Sequence, residues 1–317
     1  MTPASRGARH EPPEPPAPLV SVGLPVYNGE DHLAKALDAV LDQDLEDFEV
    51  IVCDNASTDA TAEIARDYAG RDARIRYHRN PRNVGLSGNF NSSFQLATGK
   101  YFKWWAHDDW HPQNLLSRTT EVLEANPSAV LCATGVAVMD DDGEVFEEWR
   151  PEVDLLTPPA HVRFHRLLWT LGETHPLFSV MRADALARTP RYRPFVGGDR
   201  VLLAQLVIMG GFAAVPDLMH YYRQARMRPG AKRDPNKPSQ AEILDPANKG
   251  KLPSRTWRLC YEHLRLVAAA PVGPREKLAM TGDVLGRFGV RDARLLAAEA
   301  YHSGRILASR AVARGSA

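Results

Sequence analysis

Four short apolar runs alternate with stretches of helical spacing over the first third of the chain, and this alternation restricts the fold more than any other feature. The runs are rich in β-branched and aromatic residues and cover residues 19–26, 48–53, 74–78 and 101–105. After the first run, apolar residues recur three or four positions apart, at Leu33, Leu37 and Val40. Strands that alternate with helices in this way form a parallel sheet with helices on both faces. We therefore predict an α/β fold with a mostly parallel central sheet.

The pattern changes along the 317-residue chain, which is long enough for one large domain and a smaller appendage. The N-terminus is rich in Pro, Ala, Arg and Glu and lacks the apolar segment of a secretory signal. A polar stretch with several prolines and lysines interrupts the later periodic segments. We predict a disordered lead-in over 1–18, one α/β domain over 19–224, a mobile loop or linker over 225–254 and a C-terminal helical region over 255–317.

Composition and cysteine usage favour a cytoplasmic protein. Hydrophobic residues make up 44% of the chain and charged residues 25%, as is typical of soluble globular proteins. No apolar run reaches the roughly 18 residues that a membrane span requires. Cys53 and Cys132 lie inside strand-like apolar runs, which predicts small buried thiols. A reducing cytoplasm fits this pattern.

The formal net charge of zero conceals an uneven distribution. From Arg223 to the end there are 19 Lys and Arg against 8 Asp and Glu, so the remaining body is acidic. An acidic body excludes nucleic acid as its main ligand. The basic tail carries a stripe at Trp257, Tyr261 and Leu264. We favour a stripe that packs on the α/β domain; the alternative is a peripheral contact with the cytoplasmic face of a membrane.

Polar residues follow the four predicted strands where each strand ends. They are Pro25 to Asn28, Asp54 and Asn55, Asn83 to Gly85, and Asp108 and Asp109. In open α/β sheets, ligands bind outside the carboxyl ends of the strands. The glycine loops that cradle phosphates are missing, since the sequence has neither GxGxxG after the first strand nor GxxxxGK[ST]. A bound nucleotide must therefore be held in another way.

Asp108 and Asp109 offer such a way, because Mg²⁺ and Mn²⁺ bind carboxylate and phosphate oxygens together. The pair follows the aromatic run at 101–105. Two adjacent acids also suit a solvated turn or a helix cap. Their alignment with the other strand ends favours the metal site.

Residues 19–222 resemble glycosyltransferase family 2, the inverting enzymes of the GT-A (Rossmann-like) fold. The matching features occur in the family's order at 25–28, 54–59, 83–85 with Asn91, 108–109 and 198–199. The resemblance implies a metal-dependent transferase that moves a sugar from a nucleoside-diphosphate sugar to an acceptor hydroxyl by single displacement. It implies a UDP-, dTDP- or GDP-linked donor and Mn²⁺ or Mg²⁺ as cofactor. It fades after Arg223, so it does not cover the C-terminal helices.

The resemblance also assigns the donor-binding residues. It gives nucleotide and donor binding to Pro25, Tyr27, Asn28, Asp54, Asn83, Gly85, Asp108 and Arg223. The Asp54 carboxylate suits a base N–H or a ribose hydroxyl, and its alternative role is a helix cap. Gly85 lets the chain pass close to the donor or, equally, opens a helix. A guanidinium at Arg223 would neutralise the diphosphate.

The metal and the base are assigned in the same way. Asp108 matches the last acid of the family's Asp-x-Asp motif and Asp109 would share the metal, whereas the first acid is replaced by Ala106. His107 is an alternative metal ligand. Asp199 matches the catalytic base that takes the acceptor proton. Its alternative role is to cap the helix that it begins.

Two rival functions remain. The missing acid at Ala106 supports a non-catalytic sugar-nucleotide-binding or scaffold protein on the same fold. A nucleotidyltransferase would require a glycine-rich loop with a lysine after the first strand, and residues 27–30 do not supply one.

Overall fold

The computed structural model describes residues 17–151, 155–170, 175–224, 238–251 and 254–315. The predicted lead-in therefore lies almost wholly outside the described residues, as does much of the predicted linker. Within the described part of the chain, no helix is both long and apolar enough to cross a membrane.

Eight strands form one mixed sheet with the order β3-β2-β1-β4-β7-β5-β6, and β8 pairs with β5 beside this path. The strands are β1 Val20–Val26, β2 Phe48–Asp54, β3 Ile75–Arg79, β4 Tyr101–Trp104, β5 Ala129–Met139, β6 Val145–Trp149, β7 Val180–Arg182 and β8 Gly211–Arg223. Strands β1 to β4 are mutually parallel, as predicted. Strand β7 is antiparallel to β4 and β5, and β8 is parallel to β5. The sheet is therefore parallel on the side where the predicted strand ends meet.

Helices follow the strands and extend the chain beyond the sheet. They are α1 Leu33–Leu41, α2 Thr61–Arg71, α3 Gly85–Gln95, α4 Leu115–Ala125, α5 Ala160–Thr170, α6 Ala183–Ala187, α7 Gly198–Met209, α8 Gln240–Leu244, α9 Arg255–Ala269, α10 Pro274–Val284 and α11 Ala293–Gly315. A π-helical segment, Leu285–Arg291, joins α10 to α11. Short 3-10 turns lie at His175–Phe178 and Pro246–Asn248.

Two hydrophobic clusters cover the two faces of the sheet. Alternate side chains of a strand point to opposite faces. In and just after β4, Phe102 and Trp104 join one cluster with α5 and α7, whereas Tyr101 and Trp105 join the other. The residues Cys53 and Cys132 are buried in their strands, as predicted. Burial raises the pKa of each thiol to about 12.

Three elements differ from the sequence prediction. Strand β6 was not expected, because most of its residues are exposed and show no apolar alternation. The predicted linker contains α8, a single helical turn too short to produce a periodic signal. Of the predicted stripe, Trp257 and Tyr261 are 51% and 58% exposed, whereas Leu264 is partly buried against the core. The opposite face, which includes Leu259 and Val267, packs inward instead.

Candidate functional site

A cavity of about 900 Å³ lies at the carboxyl ends of β1, β2 and β4. Its strand-end wall includes Pro25 and Tyr27 after β1, Asn55 after β2 and Asp108 after β4. Five of the predicted site residues line it: Pro25, Tyr27, Asn83, Asp108 and Arg223. The other five predicted residues, all of which the structure describes, do not line the cavity: Asn28, Asp54, Gly85, Asp109 and Asp199.

The Asp54 carboxylate is directed into the protein, not into the cavity, and its side chain is fully buried. It accepts hydrogen bonds from the Ser57 backbone N–H at 2.7 Å and from the Tyr77 hydroxyl at 2.8 Å, and it pairs with Arg79 at 2.5 Å. Burial opposes ionisation of this carboxyl group, but the hydrogen bonds and the Arg79 charge outweigh it and lower its pKa. Asp54 therefore anchors the loop after β2, and its neighbour Asn55 lines the cavity.

A network of asparagine side chains holds the strand ends together. Asn55 donates to the Asn83 side-chain oxygen at 3.0 Å and accepts from the Val84 backbone N–H at 2.9 Å. Asn80 donates to Asn89 at 2.9 Å, and Asn89 donates to the backbone oxygen of Cys53 at 2.9 Å. The sequence reasoning missed Asn55, Asn80 and Asn89 as a unit. Asn55 and Asn80 directly follow β2 and β3, which is a signal that the sequence offers, whereas Asn89 lies within α3.

Asn28 connects the first two strand ends. Its backbone N–H donates to the Ser57 hydroxyl at 3.0 Å, and its side-chain oxygen accepts from the Thr58 backbone N–H at 2.9 Å. Its φ of 51° lies in the left-handed region, which asparagine tolerates better than most residues. Asn28 thus shapes the turn that carries Tyr27 into the cavity wall.

Gly85 begins α3 with a φ of +78°, where a side chain would be strained. A Cβ atom at this position would overlap the carbonyl oxygen of Leu244 in α8. Gly85 therefore allows α8 to pack closely against the start of α3.

Asp108 reaches the cavity from the loop after β4, with 36% of its side chain exposed. Burial raises the pKa of its carboxyl group, and the nearby His107 and Asp109 act in opposite directions on it. The Nε atom of Arg223 donates to the Asp108 backbone oxygen at 3.3 Å. The Asp108 carboxylate and the Arg223 guanidinium thus belong to the same part of the cavity wall.

The structure gives Asp109 a position that differs from the predicted metal site. Its carboxylate is fully buried and lies 2.7 Å from Nε2 of His220. Its other oxygen accepts the backbone N–H of Arg223 at 3.1 Å. Both oxygens are therefore engaged within the protein. Asp108 therefore faces the cavity, whereas the Asp109 carboxylate is held in the interior by His220 and Arg223.

The cavity residues suit a divalent cation whose coordination is completed by phosphate oxygens of a substrate. Among the described residues, no group of three or more His, Cys, Asp or Glu side chains is arranged to hold a metal ion. Ala106 lines the cavity where the resemblance leads one to expect an acid. A hard divalent cation needs only one or two protein carboxylates when phosphate oxygens complete its coordination. Asp108 can supply that single carboxylate.

Asp199 begins α7 behind the cavity wall. Gly197 caps the helix with a φ of 93°, and the Asp199 carboxylate accepts the Arg200 backbone N–H at 2.9 Å. Burial and the Asp199 charge raise the pKa of Tyr192. The Tyr192 ring packs edge-on against the cavity residue Phe90, with ring centres 5.7 Å apart. The charge of Asp199 thus acts on a ring that packs against this wall, but Asp199 itself does not line the cavity.

Solved structures with the same fold include S. aureus TarS 1–349 in complex with UDP. That chain is 17% identical to this one, with a TM-score of 0.60 over 84% of this chain and 71% of the TarS 1–349 chain. A second structure of TarS 1–349, in complex with UDP-GlcNAc, gives a TM-score of 0.59. This likeness confirms the predicted fold class.

Sequence relatives carry glycosyltransferase names. EpsJ of Bacillus subtilis (strain 168), an uncharacterized glycosyltransferase, is 39% identical over 109 residues, which are 34% of this chain and 31% of EpsJ. Glycosyltransferase GlyA of Streptococcus pneumoniae serotype 4 is 36% identical over 95 residues, which are 30% of this chain and 14% of GlyA. The matched residues are therefore a third or less of the length of each of these two relatives.

The profile of the family described as glycosyl transferase family 2 matches residues 21–189, which are more than half of the chain. This stretch contains β1 to β4 and the loop with Asp108. The match confirms the resemblance seen in the sequence: the chain belongs to glycosyl transferase family 2.

Proposed function

We propose that this protein transfers a sugar from a nucleoside-diphosphate sugar to an acceptor hydroxyl in an inverting single displacement. One observation carries the proposal: Asp108 and Arg223 occupy one wall of a cavity whose strand-end wall is lined by Asn55 and Asn83. An acid for a cation and a guanidinium for phosphate suit a diphosphate. Amide groups that both donate and accept suit a base and a ribose.

The nucleotide would bind along the ends of β1 and β2. Pro25 and Tyr27 supply backbone and ring surface there, and Tyr27 is 46% exposed. The UDP and UDP-GlcNAc complexes of TarS, a protein of the same fold, support a nucleoside-diphosphate sugar as donor. UDP-, dTDP- and GDP-linked sugars are all candidates.

Asp108 would hold Mn²⁺ or Mg²⁺ together with the donor phosphates. When bound, the cation offsets the negative charge that grows on the departing diphosphate. The Arg223 guanidinium adds positive charge on the same wall. Its position is set by hydrogen bonds to the backbone oxygens of Asp108, Asp140 and Asp141.

Asp199 would act as the general base. Its carboxylate takes the proton of the acceptor hydroxyl while that oxygen forms a bond to the anomeric carbon. The bond from this carbon to the diphosphate oxygen breaks, and the electron pair leaves with the diphosphate. The assignment is supported by the position of Asp199 in the first turn of α7, where its charge acts on Tyr192, a ring that packs on the cavity residue Phe90. Asp199 does not line the cavity, so its carboxylate must become accessible for the acceptor to meet it.

The direct test is to incubate the protein with UDP-, dTDP- and GDP-sugars, with and without Mn²⁺, and to measure release of the nucleoside diphosphate. We expect at least one donor to be turned over, and faster with the metal. Turnover that does not depend on Mn²⁺ would contradict the proposed role of the metal but would still support a glycosyltransferase.

The rival candidate is a sugar-nucleotide-binding protein without catalysis. Ala106 and the separation of Asp199 from the described cavity wall favour it. The same assay separates the two functions. Donor binding without turnover, with a broad panel of hydroxyl acceptors present, would favour the binding protein.

We also propose a peripheral contact of the C-terminal helices with an anionic membrane on its cytoplasmic side. Trp257, Tyr261 and Tyr301 are each more than half exposed, in the part of the chain that carries the excess of Lys and Arg. Aromatic side chains and basic groups together suit the membrane interface. Co-flotation with anionic but not neutral vesicles would support the contact, and flotation with neither would exclude it.

A further inference from the structure

The cavity has a second wall whose character differs from that of the strand ends. The strand-end wall is polar, with Asn55, Asn83 and Asp108. The second wall carries mostly apolar and aromatic side chains, namely Leu86, Phe90, Phe178, Tyr222, Ile243 and Pro246, and the charged Glu242 and Lys249 lie near the last two. The last two belong to α8 and the turn after it, beyond residues 21–189 that match the family. The binding of the nucleotide and the diphosphate proposed above does not involve this second wall.

Helix α8 is fixed firmly against α3. The Ser87 hydroxyl donates to the Leu244 backbone oxygen at 2.7 Å, and Gly85 packs directly against the same carbonyl group. Ser239 and Glu242 form a reciprocal capping box at the start of α8. Asn248 ties the following turn to the backbone oxygen of Pro194 at 2.9 Å. The second wall is therefore built by specific contacts.

Ile243 is exposed within this fixed helix. Its neighbour Leu244 is 4% exposed and joins the hydrophobic core, whereas Ile243 is 47% exposed and lines the cavity. Ligand sites combine such apolar surface with a few placed polar groups. An apolar ligand group that covers Ile243 would remove this side chain from water, and the burial would favour binding.

We infer that the apolar wall selects an acceptor whose hydroxyl group is carried beside an apolar group, and that Ile243 determines this specificity. The inference rests on the proposed function, because the nucleotide and diphosphate occupy the polar wall and leave the apolar wall to the acceptor. A wholly polar sugar chain would leave Ile243 and Pro246 in contact with water. An aryl or alkyl substituent next to the reactive sugar would cover them.

The test compares methyl and phenyl glycosides of the same sugar, for several common hexoses. Their binding is measured by calorimetry with Mn²⁺ and a nucleoside diphosphate, and the binding of the nucleoside diphosphate is measured separately. We expect phenyl glycosides to bind about tenfold more tightly than methyl glycosides, which corresponds to burial of roughly 60 Å² of apolar surface. Ile243→Ser should reduce this ratio to less than about threefold, and Ile243→Leu should keep it.

The matched control is Leu278→Ser, which changes an apolar side chain that is 75% exposed on α10 and should leave the ratio unchanged. Equal affinity for the two glycosides, no binding of either, or an unchanged ratio in Ile243→Ser would overturn the inference. If the nucleoside diphosphate still binds in those cases, the donor site of the proposed function is unaffected, and the turnover assay described above decides the function. If no nucleoside diphosphate binds, the proposed function fails and the inference fails with it.

Discussion

The carboxylate of Asp109 lies 2.7 Å from Nε2 of His220, and the two side chains are 0% and 3% exposed. The same carboxylate accepts the backbone N–H of Arg223 at 3.1 Å. Next to it, Trp110 and Tyr221 exchange two backbone hydrogen bonds of 3.1 and 2.9 Å. The loop after β4 is thereby joined to the end of β8, and Asp108 and Arg223 are brought to one wall of the cavity.

Asp109→Ala should destabilise the fold by about 3 kcal/mol, because it leaves buried donors without an acceptor. Asp109→Asn should cost less than about 1 kcal/mol. Its amide oxygen can accept the Arg223 N–H, and its NH2 group can donate to Nε2 of the His220 tautomer that carries its proton on Nδ1. Urea unfolding of both variants measures the difference, with Asp142→Ala in the exposed turn as control. A metal ligand would behave differently. Asp109→Asn would then leave stability intact but remove metal-dependent binding of the nucleoside diphosphate.

Gly85→Ala should destabilise the protein by at least about 2 kcal/mol, because a left-handed backbone is costly for alanine. The new Cβ atom would also displace the Leu244 carbonyl and loosen α8 from α3. The control is Gly70→Ala in α2, where a Cβ atom meets nothing within 4 Å. That variant should be neutral or more stable by up to about 1 kcal/mol. Equal thermal unfolding of the two variants would contradict the close contact between α3 and α8.

Lys103 lies in β4 with 1% of its surface exposed, and burial lowers the pKa of its amine to about 7, against the opposing influence of Asp109. The unfolded amine keeps a pKa near 10.5. Between these values the unfolded chain binds the proton that the folded chain releases, so this group makes stability rise with pH. Below about pH 7 the buried charge costs on the order of 5 kcal/mol relative to the unfolded chain.

Lys103→Met removes this dependence while it keeps a long apolar side chain. The variant should gain stability relative to the wild type at pH 7, and the gain should shrink steadily toward pH 10. The variant also loses the hydrogen bond from Lys103 to the Phe178 backbone oxygen. This loss changes the stability difference between variant and wild type by the same amount at every pH, so it does not alter the pH dependence of that difference. Parallel stability curves in chemical denaturation from pH 7 to pH 10 would refute the assignment.

Asp199→Asn should lower sugar transfer by about 100-fold or more, because an amide cannot take the acceptor proton. Donor binding should stay within about twofold of the wild type, since Asp199 does not line the cavity in which the donor is proposed to bind. Asp184→Asn, at a carboxylate that is 76% exposed, is the matched control. Transfer at the wild-type rate in Asp199→Asn would exclude Asp199 as the base.

The parallel half of the fold could be predicted from the sequence because β1 and β2 are buried along their whole length. A strand with both faces covered appears as a continuous apolar run. Strand β6 and helix α8 lack such a signal. Strand β6 is mostly exposed and pairs with its hairpin neighbour β5. Helix α8 is held by a partner distant in sequence, since Ser87 donates to the carbonyl of Leu244.

The sequence predicts where the candidate site lies better than it predicts which side chains line it. Strand ends locate Asp54 and Asn55 at one edge, but the sequence does not show which one faces the ligand. Tyr77 and Arg79 on the neighbouring β3 draw the Asp54 carboxylate inward, and Asn55 is left to line the cavity. In the same way His220, 111 residues along the chain, draws Asp109 away from Asp108.

The central claim is that Asp108 helps to hold a nucleoside diphosphate through a divalent cation. Calorimetric titration of UDP, dTDP and GDP into the wild type and Asp108→Ala, each with and without Mn²⁺, tests it most directly. We predict that the wild type binds at least one of them more tightly with Mn²⁺, and that Asp108→Ala loses this metal-dependent gain. Equal metal-dependent affinity in both proteins would contradict the account.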